Sequence, residues 1–84
     1  NESALVPGQM AELLLGDIAL NEGINQLNTD REAGEKRLTE AKNHYSEARN
    51  AADNPRLRER ATLGLARYYE SMGLLDESIK EYKT

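Results

Sequence analysis

The chain contains no cysteine, no tryptophan and no phenylalanine among its 84 residues. Without cysteine it can form neither a disulfide nor a thiolate metal site. It also has no run of about 18 apolar residues, so we expect this segment to make no membrane contact. Its only aromatic residues are four tyrosines, whereas β-strands are enriched in aromatic and β-branched side chains. These absences favour a helical fold over a sheet.

Positive charge is also in the minority, with 11 basic and 15 acidic residues and a net charge of −4. This balance disfavours binding to the phosphate backbone of nucleic acids. Arg56, Arg58 and Arg60 form a locally basic stretch, but their spacing spreads them over a helix surface and no aromatic residue lies between them. We therefore expect no nucleic-acid partner.

Alanine and leucine supply most of the apolar content, and they recur at helical spacing. The first predicted helix covers Met10 to Leu27, after the break at Pro7-Gly8, and is apolar on more than one face. Thr29 to Glu32 matches a capping box with Thr29 as the cap, so a second helix should begin near Asp30. Its predicted buried stripe comprises Gly34, Leu38, Ala41, Tyr45, Ala48 and Ala52.

Asn54 and Pro55 mark the start of a third helix, since Asn can cap it and Pro fits its first position. That helix should run to about Met72, where Gly73 ends it. A fourth should start near Asp76 and present Ile79 and Tyr82. We therefore predict an all-α fold, a single domain over residues 1–84, with one antiparallel helical hairpin at about 9–52 and a second at about 55–84.

The second hairpin has a spaced pattern of small and large residues: Thr62, Leu65-Ala66, Tyr69, Gly73, Ser78 and Tyr82. This pattern resembles the tetratricopeptide repeat family, with Thr, Ala and Ser in place of the usual Trp, Gly and Ala. A looser copy upstream comprises Glu12, Leu15-Gly16, Ala19, Gly23, Ala41, Tyr45, Ala48 and Pro55. The resemblance implies part of an α-α superhelix. A four-helix up-down bundle without repeat geometry is the alternative.

The two hairpins differ in length. Gly23 and Ala41 are 18 residues apart, whereas Gly73 and Ser78 are five apart, so the first hairpin carries 13 additional residues. We expect both of its helices to be longer and to project past the second hairpin. The chain begins at Asn1 and stops at Thr84 inside a predicted helix, so we expect a fragment of a longer protein.

The resemblance implies a concave binding surface on the first helix of each hairpin. Its candidate residues are Met10, Leu13, Leu14, Asp17, Leu20 and Asn21 in the first hairpin, and Arg60, Leu63, Gly64, Arg67 and Glu70 in the second. Arg60 and Arg67 lie on one face, where two guanidinium groups could bind a carboxylate of a partner peptide. The alternative is that they pair with Asp17, Glu70 or solvent.

The apolar run of Met10, Leu13, Leu14 and Leu20 predicts an interface, because contiguous exposed apolar patches usually mark one. It could bind another protein or a second copy of the chain. The alternative is that Ala4-Leu5-Val6 folds back over it.

No catalytic set emerges from the sequence. His44 is the only histidine, and without other ligands at metal-binding spacing we expect it to be a surface residue. The glycines are isolated, so no phosphate-binding loop is predicted. We expect no enzyme, cofactor or metal site. We predict a protein-protein interaction module. The alternative is a structural or self-association segment of a larger bacterial protein, for example one anchored in the cell envelope.

Overall fold

In a computed structural model, residues 8–83 are described and form four helices with no strand in that range. They are α1 (Gly8–Leu27), α2 (Arg31–Ala51), α3 (Pro55–Ser71) and α4 (Leu75–Lys83). The predicted all-α class is confirmed, and the predicted helix limits agree with the observed ones to within two residues. Within the described range, no helix is both long enough and apolar enough to span a membrane.

The turn between α1 and α2 differs from the prediction in its capping residue. Asp30, in an extended conformation, is the N-cap of α2, and its Oδ1 accepts a hydrogen bond from the Ala33 N–H at 3.2 Å. The hydroxyl of Thr29 instead donates to the Gln26 carbonyl at 3.4 Å. Because Asp30 is the last non-helical residue, its carboxylate is the group that reaches the free amides of the first turn. The prediction that Thr29 caps α2 is wrong by one residue.

The start and end of α3 agree with the sequence prediction. Asn54 is the N-cap, with its Oδ1 accepting from the Leu57 N–H at 2.9 Å, and Pro55 occupies the first turn. After α3, Gly73 has a φ of +77°, the left-handed conformation that glycine adopts at little cost.

The first two helices form an antiparallel hairpin. Near the open end, the Gln9 side-chain amide donates to the Ala51 carbonyl at 2.7 Å, and nearer the turn Arg37 pairs with Glu22 at 2.7 Å. The predicted stripe of α2 is buried from Gly34 to Ala48, and Ala52 is partly buried. This stripe places Leu38, Ala41 and Tyr45 in the centre of the molecule.

The second hairpin packs beside the first. Helix α3 contacts both α1 and α2, while α4 packs only on α3 in the described part of the chain. The core contains Leu13, Ala19, Leu20, Leu38, Ala41, Tyr45, Ala48, Ala61, Leu65 and Tyr68. In α4 the buried residue is Ser78, whereas Ile79 and Tyr82 are both half exposed. Helices α1 and α2 have 20 and 21 residues against 17 and nine for α3 and α4, so the first hairpin is the longer, as predicted.

Candidate functional site

Helices α1 and α3 lie side by side and run in the same direction, because each is antiparallel to α2. Tyr45 of α2 meets Gly64 of α3, and Lys42, one turn earlier in α2, lies over the ring of Tyr68, one turn later in α3. Residues from α1 and α3 therefore share one surface. We call it the α1–α3 face and define it by its accessible members, Met10, Leu14, Asp17, Asn21, Arg60 and Arg67.

Arg60 is engaged by α1. Its guanidinium lies 3.8 Å from the Asp17 carboxylate, with both side chains 44% exposed, and it also donates to the Met10 sulfur at 3.5 Å. The pairing with Asp17 is the alternative that the sequence left open for this residue. Arg60 therefore helps to join the two helices, although an exposed pair of this kind contributes little stability.

Arg67, one heptad further along α3, is exposed. Among residues 8–83, none of the ion pairs includes its guanidinium, and its backbone carbonyl accepts a hydrogen bond from Ser71. The two predicted arginines therefore differ, since Arg60 has an internal partner and Arg67 presents its charge to solvent.

Tyr45 connects the core to this face. Its ring, 1% exposed, fits between Gly16 of α1 and Gly64 of α3, where a Cβ on Gly64 would overlap the ring. Its hydroxyl donates to Asp17 Oδ1 at 2.5 Å. Burial, together with this hydrogen bond to Asp17, raises the pKa of Tyr45 far above its usual value of about 10. The nearby positive charges of Arg67 and Arg60 lower that pKa by a smaller amount. The phenol therefore stays protonated and holds the Asp17 carboxylate in place.

Three predicted members of the concave surface are not accessible. Leu13 is 1% exposed, Leu20 is 3% exposed, and Gly64 is buried against Tyr45. The prediction that Leu13 and Leu20 line an open surface is wrong, because α1 packs against both α2 and α3 and both leucines belong to the core. The apolar run on α1 is thus only partly open, and its predicted cover, Ala4-Leu5-Val6, lies outside the described residues.

Leu63 and Glu70 lie toward α4. Leu63 is 45% exposed, and the Glu70 carboxylate accepts a hydrogen bond from the Tyr82 hydroxyl at 3.0 Å, which raises the pKa of Tyr82. An open groove of about 630 Å³ runs beside them between α2, α3 and α4. It is lined by Arg49, Asn50, Pro55, Arg58, Glu59, Thr62, Leu63, Glu81 and Tyr82.

Sequence reasoning missed this groove and the link between Tyr45 and Asp17. The paired glycines Gly16 and Gly64 were the available signal for the link, since a glycine inside a helix often marks close contact with a neighbour. The groove had no local signal, because it depends on how far α4 extends along α3.

The described residues offer no evident metal chemistry. Residues 8–83 contain no group of three or more His, Asp or Glu side chains placed to hold a metal ion. His44 Nδ1 lies 3.4 Å from a Glu12 carboxylate oxygen, and both side chains are about one-third exposed. This contact joins α2 to α1 at the surface.

No family model, curated protein or solved structure matches the chain.

Proposed function

We propose that the chain is a protein-protein interaction module of the tetratricopeptide repeat type, without catalytic activity, that binds a protein or peptide segment on the α1–α3 face. The observation that carries this proposal is the exposed Arg67 guanidinium on a face that also offers apolar side chains. Met10 is partly exposed and Leu14 is 45% exposed. Such a face suits a segment with an apolar side chain and a carboxylate.

Two polar groups of the face, Asp17 and Arg60, already have partners before a peptide binds. Asp17 accepts from the Tyr45 hydroxyl and pairs with Arg60, so its carboxylate is held from two sides. Because ordering costs are lower for groups already in place, this arrangement favours binding. Arg67 is left as the charge that most readily gains a partner, and an acidic group is its natural complement.

A selection from a random peptide library displayed on phage, using the immobilised 84-residue chain, tests the proposal. We expect enriched peptides to combine an acidic residue with apolar ones, and the double variant Arg60→Glu/Arg67→Glu to lose at least about tenfold in affinity for them, since a lost charge pair is commonly worth over 1.4 kcal/mol. The matched control is Arg31→Glu, which changes an exposed arginine of α2. Failure to enrich any peptide, or equal binding by the double variant, would refute this use of the face.

The second candidate function is a structural or self-association role within a larger protein. Exposed Leu15 and Ile18 on α1, 45% and 49% accessible, favour it because they lie outside the core. A specific form of self-association follows from comparing the two hairpins.

A further inference from the structure

The two hairpins correspond position by position. Leu15-Gly16 of α1 corresponds to Leu65-Ala66 of α3, an offset of 50 residues. Ala41 and Tyr45 of α2 correspond to Ser78 and Tyr82 of α4, an offset of 37 residues. The small residues Gly16, Ala41, Ala66 and Ser78 are all buried. Outside the 13 additional residues of the first hairpin, positions in one hairpin therefore have counterparts in the other whose surroundings can be compared.

One surface of α1 is open where its counterpart on α3 is covered. The outer face, as we call it, comprises Ala11, Leu14, Leu15 and Ile18, and the last three are 45%, 45% and 49% exposed. The counterparts on α3 are Ala61, Gly64, Leu65 and Tyr68, and all four are buried. Helix α3 buries this surface by packing on the first hairpin. Helix α1 thus exposes the counterpart of the surface through which α3 docks on the first hairpin.

The hairpins also differ at the opposite end of the molecule. There the exposed residues belong to the second hairpin, and their counterparts in the first hairpin contact neighbouring helices. The trailing face comprises Leu63 of α3 with Ile79 and Tyr82 of α4, which are 45%, 50% and 50% exposed. Their counterparts in the first hairpin are Leu13, Lys42 and Tyr45. Leu13 and Tyr45 are each 1% exposed, with the Tyr45 ring against Gly64, and the Lys42 ammonium lies 5.7 Å from the ring centre of Tyr68. The trailing face is therefore the counterpart of the surface that receives α3.

The helices that would meet in this contact also differ in net charge. Helix α1 carries three acidic residues and no basic one. In the hairpin that carries the trailing face, α3 has four arginines and two glutamates, and α4 has two lysines and three acidic residues. Bringing α1 of one copy to this hairpin of another therefore joins an acidic helix to a hairpin with one net positive charge, whereas α1 against α1 would join two acidic helices.

We infer that a second copy of this chain docks head-to-tail, with its α1 outer face on the trailing face of the first copy. The internal packing of α3 supplies the geometry and brings Ile18 of one copy to Ile79 of the other, and Leu14 to Tyr82. Leu14 is larger than its counterpart Gly64, so docking requires the half-exposed Tyr82 ring to turn aside and give up its hydrogen bond to Glu70. Since the faces differ, the contact does not close with two copies, and chains add in series.

Site-specific cross-linking tests this geometry, because the natural chain has no cysteine. Two variants, Ile18→Cys and Ile79→Cys, are mixed under a glutathione redox buffer. We expect the mixed disulfide to exceed both homodisulfides at equal concentration. The matched control replaces the Ile79→Cys variant with Asn43→Cys, on an exposed position of α2, and should give little mixed product. Circular dichroism of each variant confirms that the helices are retained.

Three other outcomes of the cross-linking would overturn the inference. Dominant Ile18→Cys homodimers would indicate a symmetric α1 contact. No cross-linking above the Asn43→Cys control would indicate that the faces do not meet. Cross-linking that appears only after residues 1–7 are deleted would make that segment the occupant of the outer face. If a variant fails to fold, sedimentation of the unaltered chain decides: average masses beyond a dimer support the inference, and a monomer or closed dimer contradicts it.

This inference rests on the self-association role, and its two faces share only Leu14 with the proposed peptide site. Ile18 and Ile79 lie outside the α1–α3 face, so their substitution should leave peptide binding unchanged. The Arg60→Glu/Arg67→Glu variant would make α3 net acidic, so the cross-linking is done with the natural arginines in place. Failure of one proposal is therefore distinguishable from failure of the other.

Discussion

The Tyr45 ring fits between α1 and α3 because the two residues that face it there, both glycines, have no side chain. Gly16 and Gly64 approach it from α1 and α3, and the hydroxyl beyond them bonds Asp17 at the surface. The ring, which belongs to α2, is therefore in contact with both α1 and α3. Because the ring is confined on both sides, it cannot move away from an added methyl group.

Gly64→Ala should accordingly destabilise the chain by roughly 1–3 kcal/mol through overpacking against Tyr45. This loss should outweigh the helix-propensity gain of alanine, which is about 1 kcal/mol. Urea unfolding followed by circular dichroism measures the change. The matched control is Gly8→Ala, where the added Cβ meets no atom within 4 Å, so stability should stay the same or rise slightly. Equal stability of the two variants would contradict the confinement of Tyr45.

At the scale of elements, single side chains cap the starts of α2 and α3. Asp30 and Asn54 each accept a backbone N–H three residues later, from Ala33 and Leu57 respectively. Thr29 lies next to Asp30 but bonds back to Gln26 in the preceding turn. Neighbouring residues of similar chemistry thus have different roles.

Asp30→Ala should cost about 1 kcal/mol of unfolding free energy, because it leaves an amide of the first turn of α2 without its side-chain partner. Thr29→Ala should change the free energy of unfolding by only a few tenths of a kcal/mol, since the hydrogen bond of Thr29 to Gln26 is long and exposed. Thermal unfolding of the two variants compares them directly. A larger loss for Thr29→Ala would restore the capping box predicted from sequence.

The four helices were predictable because their signals are local. Periodic alanine and leucine, the Asn54-Pro55 start and the Gly73 stop each lie within a few residues of the feature they specify. The cap of α2 was not, since Thr29 and Asp30 both satisfy the preference for an N-cap. Which of the two residues becomes the N-cap depends on the path of the preceding turn, in which the Asp30 N–H donates to the Gln26 carbonyl at 2.7 Å.

At the scale of the whole molecule, α4 is the least supported helix. It has nine residues and, in the described structure, packs directly only on α3. One ion pair spans the groove to reach it from the first hairpin, with Arg49 of α2 at 2.7 Å from Glu81. Glu81 is only 16% exposed at its side chain, so the pair is partly shielded from water.

Arg49→Gln should therefore lower stability by about 1 kcal/mol and loosen α4 first, because Glu81 loses its charged partner. Hydrogen exchange read by NMR should show faster exchange of the α4 amides with little change in α1. The control is Arg31→Gln, which removes an exposed pair with Glu35 inside α2 and should have almost no effect. Uniform loss of protection over all helices would show that α4 does not open separately.

The candidate site was predictable only in part, for a reason that belongs to this scale. The resemblance to the tetratricopeptide repeat family implied a shared surface for Met10, Asp17, Arg60 and Arg67, and Asp17 does meet Arg60. The sequence could not show that Leu13 and Leu20 would be buried, because helical period gives the face of a helix and not the neighbour that covers it. The same limit applied to Arg67, because whether its guanidinium forms an ion pair depends on where the acidic residues of other helices lie.

The order of packing has a consequence for how this chain acquires its fold. Within residues 8–83, each helix packs against the next one in sequence, and no packed pair of helices is further apart in sequence than α1 and α3. Folds with such local contacts close short loops and form quickly. During synthesis α1 and α2 can pair as soon as both have left the ribosome, and α3 then adds to a surface that already exists. Assembly from the amino-terminal end thus requires no element to wait for a distant one.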